Sequence, residues 1–369
     1  MKQLALFLLP VLLLGASCNQ RVDGGVFRSL DSGENWEQVN FVKMNGKTAV
    51  TISDLNILAM TFHPTDPNII YIGTAGQGLY ITLTGGESWI QSQQVNTGTI
   101  NAIAVDPVDP NNVYVAQDTK VLKSSDQGVS WETVYSDVQG ASITTVVVDN
   151  YEHNRVYAGT SAGTLLKSVD YGVNWDLRMQ KGDGIKRIFI AKHDTRIIYV
   201  LNTDGYVYKT DNGGEPIPDE TADTINSGWT LLLDKDFKQQ FPGADKVDDM
   251  ALDSNDSTIV FIVTRRGIMR GTDNGTTWSD IVTLIGADDK QNDDIRNVWT
   301  TPGNSNEIFF TLNNVVHKSV DAGVTWKVIE NFPSVRKIYR YLIDPQTPNV
   351  MYAGMFKVEE QSGLLKQPK

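Results

Sequence analysis

The strongest constraint on the fold is a short motif that recurs along almost the whole chain. The motif reads Ser-x-Asp-x-Gly-x-x-Trp, and clear copies begin at Ser29, Ser124, Ser168, Gly271 and Ser319. Two further copies are degenerate: Thr84 replaces the aspartate in the copy at Thr82, and the copy that begins at Lys209 has its tryptophan displaced to Trp229. Seven of the eight tryptophans belong to this motif, which indicates a chain built from seven related units.

A second pattern precedes most copies of the motif. It is an apolar stretch, a turn rich in Pro, Asp and Asn, and a stretch of Val, Ile and Tyr, as at Phe62, Val105, Val148 and Ile343. These residue types favour strands separated by tight turns. With a third strand before the motif and a fourth after it, each unit is a four-stranded antiparallel meander. Complete units are predicted at 55–92, 99–136, 141–180, 184–233, 246–283 and 294–330, and they are numbered here as blades one to six.

The seventh unit is split between the two ends of the chain. Residues 335–367 supply its early strands, and residues 22–40 supply its third strand, motif turn and fourth strand. Such a split unit closes a ring of four-stranded sheets, which is a β-propeller. The sequence therefore predicts an all-β, seven-bladed β-propeller whose last blade joins the N- and C-terminal strands. Residues 19–369 form one domain in this interpretation, at a length where two or three domains are more usual.

The first 18 residues have the order of an export signal. Lys2 precedes an apolar run, small residues follow, and the only cysteine of the chain, Cys18, comes last. This order is typical of a secretory signal peptide, and it resembles the bacterial lipoprotein signal, in which the cysteine becomes the lipidated first residue. We therefore expect an exported protein, anchored to a membrane by lipid on Cys18 and facing a periplasm, a lumen or the cell exterior. The alternative is a plain signal peptide with an incidental cysteine.

Composition excludes several classes of function. The chain has 32 basic and 44 acidic residues, a net charge of −12, which argues against nucleic acid as a partner because phosphate neutralisation needs a basic face. One cysteine excludes a disulfide scaffold and a cysteine-rich zinc site. The four histidines show no metal-ligand spacing. The sequence thus predicts neither a metal site nor a cofactor.

The residue types of the motif suit a structural turn. Glycine permits a positive φ, aspartate accepts hydrogen bonds from nearby N–H groups, and tryptophan buries a large apolar surface between sheets. Recurrence at equivalent positions favours a blade-building role over metal or sugar binding, which is the alternative. The aspartates assigned this structural role are Asp31, Asp126, Asp170, Asp211, Asp273 and Asp321.

The repeated motif resembles the Asp-box, or BNR, repeat, and the resemblance extends from residue 22 to about residue 367. Proteins with this repeat include sialidases, xyloglucan-cleaving hydrolases, sortilin-type receptors and the photosystem II stability/assembly factor. The resemblance implies a propeller whose Asp-box turns lie away from the ligand face. It does not choose among these functions.

Strand order predicts which residues lie on the ligand face. If the first strand of each blade descends from the top of the ring, the Asp-box turns lie at the bottom and the connections between blades lie at the top. Two columns of residues then fall at the upper ends of the first strands. The first column is Leu58, Asn101, Thr144, Lys186, Asp248, Arg296 and Tyr339, and the second is Ala59, Ala102, Thr145, Arg187, Asp249, Asn297 and Arg340. Charge is concentrated in blades four to seven.

Basic residues cluster on this face of an otherwise acidic chain. We name them the basic sector: Lys186, Arg187, Arg265, Arg266, Arg296, Arg336, Lys337 and Arg340. Arginine forks pair well with carboxylates, so the sector is predicted to bind a protein partner or an acidic peptide segment. The alternative is that these charges are solvated or paired with Asp248, Asp249, Asp293 and Asp294. Insertions at 234–245 and 284–294 flank the sector, and long loops in a compact fold are often functional.

Enzymatic function is less favoured by the sequence. The Arg-Ile-Pro sequence of sialidases is absent, since Phe189 follows Arg187 and Ile188, and the related xyloglucan hydrolases cleave between two propellers where this chain has one. The sequence therefore predicts a non-enzymatic scaffold that binds a protein partner, and no catalytic residue is assigned. The more specific form of this prediction is an assembly factor. A cell-surface glycan-binding protein or glycoside hydrolase is the alternative.

That alternative also has candidate residues. The paired acids at 248–249 and 293–294 would flank a glycosidic bond, because such hydrolysis needs two carboxylates. Tyr339, Tyr341 and Trp299 would stack on the sugar.

Overall fold

The computed structural model describes residues 23–217, 224–283, 295–312, 315–329 and 332–357. The predictions for the signal peptide and Cys18, and those for Asp293 and Asp294, lie outside these residues. The backbone of Arg296 is described, but its side chain is not.

Thirty strands follow one another along the described chain, with little helix. The first four are β1 (Val26–Ser29), β2 (Glu37–Gln38), β3 (Phe41–Asn45) and β4 (Thr48–Thr51). Blade one is β5 (Ile57–Phe62), β6 (Ile70–Thr74), β7 (Leu79–Thr82) and β8 (Ile90–Gln91). Blade two is β9 (Ile100–Val105), β10 (Val113–Gln117), β11 (Lys120–Ser124) and β12 (Glu132–Ser136). Blade three is β13 (Ile143–Val148), β14 (Val156–Thr160), β15 (Thr164–Ser168) and β16 (Asp176–Gln180).

The second half of the chain continues the same order. Blade four is β17 (Ile185–Ile190), β18 (Ile198–Asn202), β19 (Val207–Thr210) and β20 (Thr230–Leu231), with a 3-10 turn at Thr224–Asn226 before its last strand. Helix α1 (Lys235–Gln240) connects it to blade five, which is β21 (Val247–Leu252), β22 (Val260–Thr264), β23 (Gly267–Thr272) and β24 (Thr277–Thr283). Blade six is β25 (Ile295–Thr301), β26 (Asn304–Leu312), β27 (Val315–Ser319) and β28 (Lys327–Ile329). The last strands are β29 (Lys337–Ile343) and β30 (Met351–Phe356).

The predicted seven-bladed β-propeller is confirmed, including its split blade. Blade seven has the strand order β29, β30, β1, β2, so that two strands from each end of the chain form one sheet. The closing pair runs antiparallel from Val26 opposite Gly354 to Ser29 opposite Met351. The other six blades are continuous antiparallel meanders whose bounds match the predicted units within a few residues.

The hydrophobic core lies between the blades. Among the described residues it divides into seven clusters, and each combines buried side chains of two neighbouring blades. Tyr71 of blade one packs with Val113 of blade two, and Phe27 of blade seven packs with Phe309 of blade six. A single blade therefore buries its two faces only against its neighbours, as expected for a repeat architecture.

Most Asp-box turns are closed as the sequence predicts. Asp126 accepts hydrogen bonds from the Ser124 hydroxyl at 2.7 Å, from the Ser130 N–H at 2.8 Å and from the Ser130 hydroxyl at 2.6 Å. Ser124 in turn accepts from the N–H of Gly128, whose φ is 96°. The same network recurs around Asp31, Asp170 and Asp321.

Blade four corrects the assignment of Asp211. Asn212 occupies the aspartate position, because its side-chain oxygen accepts from the Thr210 hydroxyl at 2.6 Å and from the Gly214 N–H at 3.1 Å. Asp211 instead forms an ion pair with Lys209 at 3.0 Å. The predicted copy of the motif begins at Lys209, but the third strand ends one residue later, at Thr210, so the motif shifts by one residue.

Blade five also departs from the predicted network. Gly271 stands where the other turns have a serine or threonine, so no hydroxyl is available to bridge to Asp273. The backbone closes the turn instead, with the N–H groups of Gly275 and Thr276 donating to the carbonyl of Thr272 at 3.0 Å.

A hairpin that the sequence analysis did not identify stands outside the seven blades. Strands β3 and β4 pair only with each other, and Asn45 pairs with Thr48 at the end of the hairpin. The two loop residues are therefore Gly46-Lys47, and a glycine with positive φ (61°) at the first loop position is typical of tight hairpins. That glycine is the sequence signal that could have revealed it.

Candidate functional site: the mouth of the central channel

The first strands of all seven blades line a central channel. Residues of every first strand border a cavity of about 450 Å³ along its length, and a second cavity of about 350 Å³ opens at the mouth. In blade one, Ile57 at the mouth pairs with Thr74, whereas Thr82 beside the Asp box pairs with Ile70. The mouth and the Asp-box turns therefore lie at opposite ends of each blade, as predicted.

Each first strand carries a β-bulge near the mouth. In blade four, Ile185 pairs with Asn202 and Arg187 pairs with Leu201, so Lys186 is the extra residue of the bulge. A bulge bends the strand and re-aims the side chain of the extra residue. The bulged residues of the other blades are Leu58, Asn101, Thr144, Asp248, Asn297 and Tyr339. All seven line the mouth cavity.

Blade six differs from the predicted alignment by one residue. Arg296 pairs with Thr311 and Val298 pairs with Phe310, so the bulged residue is Asn297 and not Arg296. Asn297 has a φ of 50°, a left-handed conformation that asparagine tolerates better than most residues. Asn297 thus takes the place in the first column that the sequence analysis gave to Arg296.

The bulged residues connect adjacent blades. Asn101 donates to the carbonyl of Ile143 at 2.8 Å, Thr144 donates to the carbonyl of Ile185, and Asn297 donates to the carbonyl of Ile338 at 2.8 Å. Each bond runs from one first strand to the next. The bulged residues therefore form a ring at the mouth that hydrogen bonds between first strands help to fix, including in blades two and three, where the sequence places no charge.

Three cationic side chains of the basic sector meet at this ring. Lys186, Arg187 and Arg340 all line the mouth cavity. Arg187 forms an ion pair with the buried Asp249 at 3.0 Å, and Asp249 also accepts a hydrogen bond from the N–H of Asn297 at 3.0 Å. Lys186 donates to the carbonyl of Asp248. The prediction that these three residues share one surface agrees with the structure.

Arg340 is the most enclosed of the three cations. Desolvation and, after it, repulsion from Arg187 lower the pKa of Arg340 to about 10, so it remains charged at neutral pH. Its guanidinium lies 4.5 Å from the Tyr339 ring centroid and donates to the Tyr339 carbonyl at 3.1 Å. The site therefore holds a desolvated cation beside a second cation, an arrangement that an incoming carboxylate would stabilise.

Other members of the basic sector have structural contacts. Arg266 makes two hydrogen bonds of 2.7 Å to Asp280, and Arg336 donates to Asp23 at 3.1 Å. Arg265 is exposed, and Lys337 is partly buried at the start of β29. The sector as predicted from the sequence thus contains three residues at the channel mouth and two arginines, Arg266 and Arg336, that are held by nearby carboxylates.

The aromatic candidates occupy different environments. Trp299 and Tyr341 stack on each other within the channel, with ring centroids 4.0 Å apart. Tyr339 lies at the mouth and packs 5.2 Å from Phe356. Only Tyr339 among these three borders the mouth cavity, so the described residues provide one aromatic side chain there for a sugar to contact.

Metal ligands do not gather in the described part of the chain, where no group of three His, Cys, Asp or Glu side chains is close enough to hold an ion. The histidines make local contacts: His153 lies 3.0 Å from Asp106, and His193 lies 2.7 Å from the Ser257 hydroxyl. His63 accepts an N–H from Asp66, and burial lowers its pKa. Within the same residues, no helix has the length and apolar character needed to span a bilayer.

Comparisons with known protein sequences give partial matches to proteins of different functions. No family model matches the chain. It is 31% identical over 113 residues, 25% of its length, to a xyloglucanase of Acetivibrio thermocellus, and 40% identical over 70 residues, 19% of its length, to vacuolar protein sorting/targeting protein 10 of Mycosarcoma maydis. These matches span only 13% and 4% of those relatives.

Solved structures resemble the whole ring more fully. The GH74 xyloglucanase from Xanthomonas campestris has a TM-score of 0.64 at 16% identity, covering 82% of this chain and 51% of that one. YCF48 bound to a D1 peptide has a TM-score of 0.59 at 14% identity, covering 82% of this chain and 94% of that one. YCF48 from Cyanidioschyzon merolae has a TM-score of 0.58 at 14% identity, covering 82% and 95%. At these identities the similarity establishes the propeller fold, which enzymes and a peptide-binding protein share.

Proposed function

We propose that the protein is a non-enzymatic, membrane-anchored scaffold that binds an acidic segment of a protein partner at the channel mouth. The observation that carries this proposal is the convergence of Lys186, Arg187 and Arg340 on one preorganised cavity. An assembly-factor role is the narrower form of the proposal. The fold shared with YCF48, whose structure contains a bound peptide, supports that form.

The electrostatics of the mouth suit a carboxylate. Asp249 already forms an ion pair with Arg187 and accepts a hydrogen bond from the N–H of Asn297. The guanidinium of Arg340, in contrast, donates to a neutral carbonyl oxygen. A carboxylate at Arg340 would form charge-assisted hydrogen bonds, which are about twice as strong as neutral ones. It would also offset the repulsion between the two arginines.

Peptide binding tests the proposal directly. Fluorescein-labelled hexaglutamate and hexaglutamine are titrated with the full protein, and affinity is measured by fluorescence anisotropy at low and high salt. We expect hexaglutamate to bind more tightly, and Arg340→Gln to weaken it by roughly tenfold, the equivalent of about 1.4 kcal/mol. Lys186→Gln, at the exposed rim, is expected to have a smaller effect in the same direction.

Arg196→Gln is the matched control. Arg196 is exposed on the Asp-box side of blade four and pairs with Asp194 at 2.6 Å, so its loss changes the net charge equally but leaves the mouth intact. Equal affinity of both peptides, or equal weakening by Arg196→Gln, would refute the proposed site. Thermal unfolding of each variant distinguishes lost binding from lost folding.

Membrane anchoring through Cys18 is part of the same proposal. The sequence order of the first 18 residues supports it. Replacement of Cys18 by serine is expected to release the protein from the membrane fraction, and unchanged sedimentation with membranes would contradict lipidation.

Glycan recognition or hydrolysis is the second candidate function, favoured by the similarity to GH74 xyloglucanases. A hydrolase needs two carboxylates that flank the scissile bond. Asp249, the buried acid at the mouth, is already engaged by Arg187 and by the N–H of Asn297. Release of new reducing ends from xyloglucan by the purified protein, abolished by Asp249→Asn, would favour this candidate over peptide binding.

A further inference from the structure

The hairpin β3–β4 lies next to the point where the N-terminal segment leaves the ring. Asn40, which precedes the hairpin, donates to the carbonyl of Gly24 at 2.9 Å and to the hydroxyl of Ser53 at 3.0 Å. The N–H of Ile52 donates to the carbonyl of Asn40 at 2.9 Å and closes the base of the hairpin. The base is therefore joined to Gly24, one residue after the first described residue, Asp23.

The hairpin is fixed at its base and exposed along its length. The carbonyl of Phe41 accepts from the N–H of Trp89 at 2.8 Å, and Val42 packs against the core between blades seven and one. Beyond these contacts almost every residue of β3 and β4 is exposed. Met44 is 57% exposed and Phe41 is 39% exposed, both large apolar side chains.

The charge of the hairpin is opposite to that of the whole protein. Residues 41–51 contain Lys43 and Lys47 and no acidic residue, in a chain whose net charge is −12. Both lysines are exposed. Exposed cations beside exposed apolar side chains are the combination that binds the interface of an anionic bilayer.

The segment between Cys18 and the ring is short enough to bring the hairpin within reach of a membrane that holds a lipid on Cys18. Cys18 precedes Asp23 by five residues, which span at most about 18 Å when fully extended. A strand of five residues, such as β3, is roughly 17 Å long. A lipid on Cys18 would thus hold the base of the hairpin no farther than about one hairpin length from the bilayer surface.

We propose that the β3–β4 hairpin is a second membrane contact, in which Lys43, Met44 and Lys47 toward its tip touch an anionic lipid surface. This inference rests on the proposed lipid anchor and not on the peptide site. The two contacts together restrict rotation of the ring, so that the channel mouth is presented at a fixed angle to the membrane.

Site-specific fluorescence in reconstituted vesicles tests the hairpin contact. The lipidated protein carries one new cysteine, Thr48→Cys in the hairpin or Val129→Cys in an Asp-box turn at the opposite end of the blades. Because lipidation consumes the thiol of Cys18, only the new cysteine reacts with an environment-sensitive dye. In phosphatidylglycerol vesicles with nitroxide-labelled lipid, we expect several-fold stronger quenching at position 48 than at position 129.

Charge reversal separates lipid contact from proximity. Lys43→Glu with Lys47→Glu is expected to abolish the additional quenching at position 48. The matched control, Lys120→Glu with Lys192→Glu, changes the net charge equally at exposed sites elsewhere and is expected to retain it. Additional quenching that survives the hairpin reversal would overturn the assignment of an anionic surface.

Flotation of the vesicles distinguishes failure of the anchor from failure of the hairpin. Protein that floats with the vesicles but shows equal quenching at both positions overturns the hairpin contact and leaves the anchor intact. Protein that does not float overturns the anchor and, with it, this inference.

Discussion

At the residue scale, four of the Asp boxes are local networks in which one carboxylate, that of Asp31, Asp126, Asp170 or Asp321, fixes a turn. The carboxylate oxygens of Asp126 accept hydrogen bonds from two hydroxyls and one N–H, all of them from Ser124 and Ser130. The hydrogen bonds from the Ser130 hydroxyl and N–H, and then from the Ser124 hydroxyl, lower the pKa of Asp126 to about 2. The donors belong to the motif itself, which explains why the motif can be recognised without knowledge of the surrounding structure.

The depressed pKa predicts a pH dependence of stability. The folded pKa lies below the ordinary value of about 3.9, so the carboxylate stabilises the fold fully above about pH 4 and loses this contribution as the pH falls toward 2. Asp126→Asn removes an acceptor of the Ser130 hydroxyl. We expect the variant to be less stable than the wild type at neutral pH and the difference to shrink in acid, as measured by urea unfolding.

Asp211→Asn provides the control for this prediction. Asp211 is exposed and pairs with Lys209, while Asn212 holds the Asp-box position. Exposed ion pairs contribute about 0–1 kcal/mol, so this change should have little effect at any pH. A loss of stability as large as that of Asp126→Asn would contradict the corrected alignment of blade four.

At the element scale, tyrosines of the second strands join one blade to the Asp-box turn of the next. Tyr114 of β10 donates to the carbonyl of Tyr171 at 3.0 Å, and Tyr71 of β6 donates to the carbonyl of Gln127 at 3.1 Å. Burial raises the pKa of Tyr71 to about 12, so these hydroxyls stay protonated as donors. Blades five and six have Phe261 and Phe309 at this position, which shows that the ring fits without the hydroxyl.

Removal of one such hydroxyl measures the connection between blades. Tyr114→Phe keeps the packing and leaves the Tyr171 carbonyl without this donor, so we expect a loss of roughly 0.5–1.5 kcal/mol in the free energy of unfolding. Tyr151→Phe, at a tyrosine that is 79% exposed, is the matched control and should change little. The two variants would unfold alike if the connection between blades contributed nothing.

At the scale of the whole molecule, segments that lie far apart in the sequence meet to close the ring. Strand β1 pairs with β30, and Arg336 near the C-terminus donates to Asp23 near the N-terminus. Phe27 of β1 is only 3% exposed and packs against Phe332 with ring centroids 5.4 Å apart. Two distant parts of the sequence thus share one sheet and one core cluster.

Truncation of the closing side chain should weaken the entire ring. For Phe27→Ala we expect a loss of about 3–5 kcal/mol in the free energy of unfolding, measured by chemical denaturation. Phe41→Ala makes the same change in the hairpin outside the blades, where Phe41 is 39% exposed, and should cost much less. Equal costs would show that closure at β1 does not govern stability.

The positions of the cations at the mouth illustrate the limit of sequence reasoning. Comparison of equivalent positions in the first strands correctly places Lys186, Arg187 and Arg340 together, because repeated blades present equivalent positions at the same height in the ring. It misplaces Arg296, since the bulge at Asn297 shifts the register of β25 by one residue. A bulge depends on the strand opposite and on the next blade, which accepts a hydrogen bond from Asn297 at Ile338.

The sequence by itself determined the number of blades, the bounds of most of them and the split closure. These follow from turns whose hydrogen bonds are local and from strands whose apolar pattern repeats. Only the tertiary structure decided which basic residues share the channel mouth, which are paired elsewhere as Arg266 is with Asp280, and where the β3–β4 hairpin stands relative to Gly24. Those properties depend on contacts between residues far apart in the chain, which a local motif does not specify.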